Sequence, residues 1–472
     1  MNTSKAALVL VILLILPLPT VLAEEPKPLP AFPGAEGFGA TTPGGRGGRV
    51  IKVTNLNRSG PGSLAAACQA EGPRVVVFDV AGVIPGNVTI TRGQLTIAGQ
   101  TAPAPGITIE GILASKYRSE IPIHDVVIRF LRARPPRARR DWDGGDCLQI
   151  TGVENLLIDH VSASWGSDEN MDLCGSRNFT VQWCAIEESD TAGHVKGRHN
   201  FGMIMGYEGK DATVHHNLFA HHKRRAPLCG LELLDHRNNV IYNMQTGLYW
   251  HPADMNRSRP GKGFRANVVA NYFQSGPDAP RTGRDLNFAS IDVKDIEEIH
   301  AAGNVFTWIE GLVDPWKHPL RQGVFRAYPI RCQKPWPAPP VATHTANEAY
   351  ELVLAQAGCL PRDAVSERTV REVRSGSGSW GRHDPPGGLT TRPAFPALPP
   401  DRDGDGMPDE WEKAHGLNPA DGTDHTKAMP SGYTAIEEYC NERARVLIEQ
   451  AMKKRPSIRE QAPLDQREGA GS

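Results

Sequence analysis

Past residue 23 the chain has no long apolar run, so no later segment reads as a bilayer span. It has no Cys-x-x-Cys spacing, which removes the usual zinc-ribbon and dithiol redox patterns. Neither sign of charge dominates. The 52 Lys and Arg and 53 Asp and Glu leave a formal net charge of −1, so bulk charge implies no nucleic-acid partner. Asn-Gly and Asp-Gly pairs are sparse, which weighs against a sandwich whose hairpins recur every ~8–12 residues. Convincing amphipathic helices are scarce before residue 345, which excludes alternating βαβ units.

What remains is short β-rich runs bounded by Gly, Asn, Asp or Pro, such as "HDVVIRFLRA", "NLLIDHVSAS" and "RANVVANYF". They carry a period. An Asn followed by mostly apolar residues recurs at 217, 239, 271 and 304, in steps of 22, 32 and 33. Cys184 lies 33 residues before Asn217, and Val161 lies 23 before Cys184. A coil of one length, with a loop sometimes inserted, fits all five steps and predicts a solenoid. The fold class is all-β: a right-handed parallel β-helix whose stacked Asn side chains bond one another's backbones.

The ends differ from this body. Lys5, the apolar run Ala6–Leu16 and "PLPTVLA" read as a signal peptide over 1–23, placing the chain outside the cell or in the periplasm. The eight Cys permit disulfides there, but several lie in apolar strand-like runs that suit buried thiols equally. The β-helix is expected over 24–374, with "NEAYELVLAQAG" a helix closed by Gly358. A Pro/Gly/Ser-rich linker is expected over 375–400, a small acidic module with a helix over 401–454, and a disordered tail over 455–472.

The acidic module opens with "DRDGDGMPDEWE". Asp401, Asp403, Asp405, Asp409 and Glu412 stand at positions 1, 3, 5, 9 and 12 of a calcium loop, with Gly406 at the sharp turn. Only an exiting helix follows, so the module resembles the lone calcium loops of dockerins and thrombospondin type 3 repeats. It reads as a stabilising appendage.

A second constellation lies in the centre. "DGGDCLQITGVENLLIDHVSASWGSDENMD", "HHNLFAHHKRRAP" and the opening "FPGAEGFGATTPGGRGG" resemble bacterial pectate lyases of polysaccharide lyase family 1, from about Phe32 to Gly378. The resemblance implies Ca²⁺-dependent β-elimination on polygalacturonate, an acidic polysaccharide, giving 4,5-unsaturated oligogalacturonides. It implies calcium ligands at Asp146, Asp168 and Asp172. Gly144 stands where the family carries another Asp, and Asp143 is displaced by one. Arg225, ten residues after His215 and followed by x-Pro, stands in register with the family's catalytic arginine. A guanidine base requires alkaline conditions. Near pH 9 its neutral form costs about 5–6 kcal/mol, which nearby cations such as Lys223 and Arg224 reduce.

One position departs from the pattern: Gly230 stands where a second arginine would clamp a substrate carboxylate. Lys196, Arg198, Arg224, Arg237 and His194 are the candidates for that role. The run "RARPPRARR" is either a steering groove for an acidic chain or a solvated basic loop. The expectation is a monomeric lyase that contacts no membrane once the signal is removed. Two alternatives stay open: a non-catalytic β-helix that binds acidic polysaccharide, and a lyase for methylated pectin or another uronan.

Overall fold

The computed structural model describes residues 28–116, 119–137, 145–206, 209–245, 247–250, 264–279, 297–308, 329–389 and 398–454. The signal segment, Asp143 and the tail lie outside the described residues. Strands pair in parallel into three sheets, of 11, 9 and 7 strands among those residues. The first sheet runs from Arg49–Val53 to Pro329–Arg331, the second from Gly82–Pro85 to Val305–Phe306, the third from Val88–Ile90 to Tyr249–Trp250. From Arg74 to Trp250 each coil contributes one strand to each sheet, which makes the molecule a parallel β-helix.

Register stacks like on like. Val76, Ile97, Ile128, Ile158, Val181, Val214, His236 and Val268 form one column through the first sheet, all of them buried. At a corner of the coil, Phe130, His160, Trp183, His216, Asn238 and Ala270 repeat a left-handed backbone with φ of 50–56°. Phe130 stacks on His160 at 4.6 Å, and Trp183 on His216 at 4.3 Å.

The Asn period is the ladder expected. Asn239 Oδ1 accepts from Asn217 N and Nδ2, Asn271 Oδ1 from Asn239, and Asn304 Oδ1 from Asn271, all at 2.9–3.0 Å. Asn217 Oδ1 accepts from Cys184 N at 2.8 Å, so the ladder reaches back to the cysteine coil. No disulfide joins the eight Cys, and seven of them are buried. Burial pushes Cys68 and Cys440 up to about 12, which keeps them inert.

The outer face of the first sheet is covered by the Gly-rich opening. Gly39 N donates to Thr180 Oγ1, and a Cβ on Gly39 would lie 2.4 Å from Leu156 O, so only glycine fits that approach. The second sheet is covered by two helices, Ala346–Gln356 and Ala364–Ser375, through Val353, Leu354, Val370 and Val373 against Leu218, Val240 and Tyr242. Thr345 and Glu348 form a capping box on the first of these.

Two expectations are corrected here. Arg132 and Arg134 of "RARPPRARR" line no groove but are buried. Arg132 donates to Pro105 O, and Arg134 to Asp363 at the N-cap of the second helix, so both serve docking. Arg137 is exposed and pairs with Asp384 at 3.2 Å; residues 138–140 lie outside the described residues. The start of the expected linker is likewise packed on the β-helix. Tyr242 donates to Ser377 O, and Trp380 Nε1 donates to Asn243 O.

The acidic module also docks. Met407, Leu417, Ala435, Ile436 and Cys440 pack on Val75, Val77 and Ala98 of the first coils. Among the described residues no helix is long and apolar enough to cross a membrane.

Burial of neutral imidazoles sets an acid limit. His215, His222 and His236 are each pushed down to about 3 by burial. Unfolded, they take protons near pH 6.5. Between those values the unfolded chain holds protons the folded chain does not. Stability is therefore full above about pH 6.5 and is lost as pH falls, by about 2 kcal/mol per histidine at about pH 5. Calorimetric melting with chelator present should show a clear loss between about pH 7.5 and pH 5; an unchanged melting temperature would contradict it.

Candidate active site

The third sheet carries the centre. Its strands Leu148–Gln149, Glu169–Asp172, Phe201–Met205 and Leu228–Cys229 are successive neighbours, and Asp146, Asp168 and Arg225 precede their starts. Asp146 precedes the first, and its Oδ1 accepts from Glu169 N at 3.0 Å. Asp168 lies in the bend before the second. Ligand oxygens of Asp146, Asp168 and Glu169 all fall within 4.8 Å of one another. Asp172 closes the same strand, its Oδ1 accepting from Cys174 N at 2.8 Å.

The cluster is electrostatically unhappy on its own. Burial, reinforced by Asp172 and Asp168, pushes Asp146 well above the usual carboxylate range. Burial, with Asp168 adding, also raises Asp172. Buried carboxylates that repel one another are the chemistry of a hard-cation site, so these residues fit Ca²⁺.

Arg225 precedes the strand three places along the sheet from that of Asp146. Its backbone is left-handed, φ 72°, whereas Arg224 pairs in parallel with Phe201. The two arginines therefore diverge, as register predicts. The Arg225 guanidinium lies 3.8 Å from the centre of the Phe201 ring, and its Nη1 contacts Glu169 Oε1. Arg224 is exposed. The group that meets Arg225 is thus a carboxylate, not the cations Lys223 or Arg224.

The loop before Phe201 supplies the rest. His194 is buried, with Nε2 3.5 Å from Asp168 Oδ2, and its Nδ1 accepts from Lys196 N at 3.2 Å. His199 Nε2 lies 3.8 Å from Asp168 Oδ1. Lys196 and Arg198 are exposed on the same loop. Arg237 is excluded from the carboxylate role: it sits on the first sheet, chelating Asp235 and donating to Thr343 Oγ1. Gly230 holds only a ladder bond, from its N to Met205 O.

Glu169 and His199 were missed from sequence. The i, i+4 spacing of Asp168 and Asp172 gave Glu169 no slot, and strand alternation would have turned it away from Asp168. Alternation does not apply, because Asp168 lies in the bend and not in the strand.

The second acidic site differs from its expected ligand set. Asp401, Asp403 and Asp405 gather within 4.8 Å, and Asp405, Glu412 and Asp424 do the same. Asp409 turns away, its Oδ1 accepting from Arg402 N and its Oδ2 pairing with the Arg402 guanidinium. Asp424, from a later turn, takes the place expected of Asp409. Asp403 Oδ2, Asp405 Oδ2, Asp424 Oδ1 and both Glu412 oxygens are buried without a hydrogen-bond partner. Burial and mutual repulsion push Asp405 to about 6 and Glu412 to about 7. This donor set also fits a hard cation.

No family model matches the chain. A probable pectate lyase C of Aspergillus fumigatus is 34% identical over 427 residues, covering 88% of this chain and 93% of that protein. A probable pectate lyase C of Emericella nidulans is 31% identical over 465 residues, covering 90% and 96%. These relatives are fungal, where the sequence motifs suggested bacterial ones. Among solved structures, a pectate lyase from Bacillus sp. N165 in complex with trigalacturonate is 16% identical and covers 69% of this chain and 98% of that one, TM-score 0.41. The cedar pollen allergen jun a 1 is 16% identical, covering 69% and 93%, TM-score 0.45.

Proposed function

The chain belongs to the pectate lyase family, whose members are polysaccharide lyases, and we propose that it cleaves polygalacturonate by calcium-dependent β-elimination with Arg225 as base. The observation that supports this reading is that Arg225 reaches, across the sheet, the cluster of buried Asp146 and partly buried Asp168 and Asp172, meeting it at Glu169.

Bound Ca²⁺ would supply the charge that stabilises the carbanion developing next to the uronate carboxylate. Asp146, Asp168 and Asp172 would hold it. Arg225 takes the C5 proton, its guanidine plane held by the Phe201 ring. The C5–H electron pair becomes the C4–C5 double bond, and the C4–O bond breaks. The departing oxygen takes a proton from water, and the hydroxide so formed takes the C5 proton from Arg225, which restores the base. Lys196, Arg198 and Arg224, exposed near the site, meet the carboxylates of the polymer. His194 fixes the loop that presents Lys196.

Gly230 favours a second reading, a lyase tolerant of methyl esters, because no side chain there demands a free carboxylate. The test is the ultraviolet absorbance of the unsaturated uronide, measured on polygalacturonate, methylated pectin and other uronans, with Ca²⁺ and with chelator. Calcium-dependent product from polygalacturonate with an alkaline optimum is expected. No product from any uronan would leave only a polysaccharide-binding β-helix. A rate flat from about pH 6 to about pH 10 would remove the guanidine base. The chain is proposed to be exported and monomeric.

The acidic module is proposed to hold a second Ca²⁺ through Asp401, Asp403, Asp405, Glu412 and Asp424. Lys52 of the first coil pairs with Asp401 at 2.6 Å, so this cation would tie the module to the β-helix. Asp424→Asn should abolish most of the calcium-dependent rise in melting temperature, and Asp409→Asn should preserve it. The reverse order in calorimetry would restore Asp409 as the ligand.

A further inference from the structure

Resting on the proposed calcium site, we infer that Glu169 is its fourth carboxylate, and that Glu169 exchanges Arg225 for the cation when the cation binds. Gly144, at the position of a family ligand, offers no side chain. Glu169 offers a carboxylate within 4.8 Å of both Asp146 and Asp168, with its backbone N pinned by Asp146 Oδ1. It is 4% exposed, so water does not satisfy its charge. Its counter-charge is Arg225.

The pair as it stands blocks the chemistry. A guanidinium that gives its N–H to a carboxylate is not free to accept a proton from substrate. Glu169 shares a 4.8 Å cluster with Asp146 and Asp168, and Asp172 repels Asp146 further, so a divalent cation shared by the cluster is a stronger partner for Glu169 than the single charge of Arg225. Released, Arg225 keeps its stacking on Phe201 and stays aimed at the site. Cation binding and freeing of the base thereby become one event, and a metal-free chain holds its base locked.

The test is calcium titration calorimetry in the Asp405→Asn chain, where the weakened C-terminal loop leaves the heat to the third-sheet site. Glu169→Gln should weaken Ca²⁺ binding by about tenfold or more, and Glu169→Asp by less. Arg225→Ala should tighten Ca²⁺ binding by removing the competitor for Glu169, and the tightening should vanish in the Glu169→Gln background. Circular dichroism checks that each variant folds. Unchanged affinity in Glu169→Gln would overturn the inference. So would an Arg225→Ala effect of equal size in both backgrounds, which would be bulk charge alone. A parent chain that binds no Ca²⁺ here and yields no unsaturated product would remove the lyase reading itself, and the exchange with it.

Discussion

Arg225→Lys should lower the rate of unsaturated-product formation by about 10²–10⁴-fold, while Arg224→Lys keeps most of the wild-type rate. Both changes preserve charge. If cationic charge near the polymer were all that mattered, both would be mild. Arg225 is more specific than that: its guanidine plane lies 3.8 Å over Phe201, a contact that does not suit a compact ammonium on a flexible stem. The left-handed backbone at Arg225, φ 72°, aims the side chain away from the direction Arg224 takes. Initial rates at saturating Ca²⁺ should place the loss in kcat, with KM changed little. Equal losses in the two variants would remove Arg225 from its assigned role.

Much of this architecture was written into the local sequence. Solenoids repeat their environment every coil, so the Asn spacing reports directly on stacking. Bonds between Asn217, Asn239, Asn271 and Asn304 follow from spacing alone. Asp146, Asp168 and Arg225 could be placed together because they match the motif positions of the family the sequence resembles. What escaped depended on chain returning from far away. Arg132 and Arg134 read as surface charge until the helix at Asp363 packs over them. Asp424 lies 12 residues beyond Glu412, outside any loop spacing that would flag it. Glu169 escaped for a local reason, the bend at Ser167 and Asp168 that suspends strand alternation. The pattern is physical: periodic contacts are encoded by period, whereas a contact made by a covering segment needs the cover in place.

The ladder also gives the largest stability prediction for a single substitution. Asn239→Ala should destabilise the fold by about 3–5 kcal/mol, a fall in melting temperature on the order of 5–10 °C. The Asn239 side chain makes three buried bonds. Its Oδ1 accepts from Asn217 N and Asn217 Nδ2, each at 3.0 Å, and its Nδ2 donates to Val214 O at 2.9 Å. Alanine leaves two donors and one acceptor unpaired in a site that is 0% exposed, with a cavity beside them. A carbonyl or amide stranded in that way costs about 1–3 kcal/mol, and the sum is less than additive because neighbours relax. Asn239→Asp separates the terms. It keeps the acceptor for Asn217 but places a carboxylate against Val214 O, so its loss should grow as pH rises and the group ionises. Asn57→Ala, at an exposed position, should stay within about 0.5 kcal/mol of wild type. If Asn239→Ala melts with Asn57→Ala, the coils are held by apolar stacking alone, and the period that revealed the fold does not stabilise it.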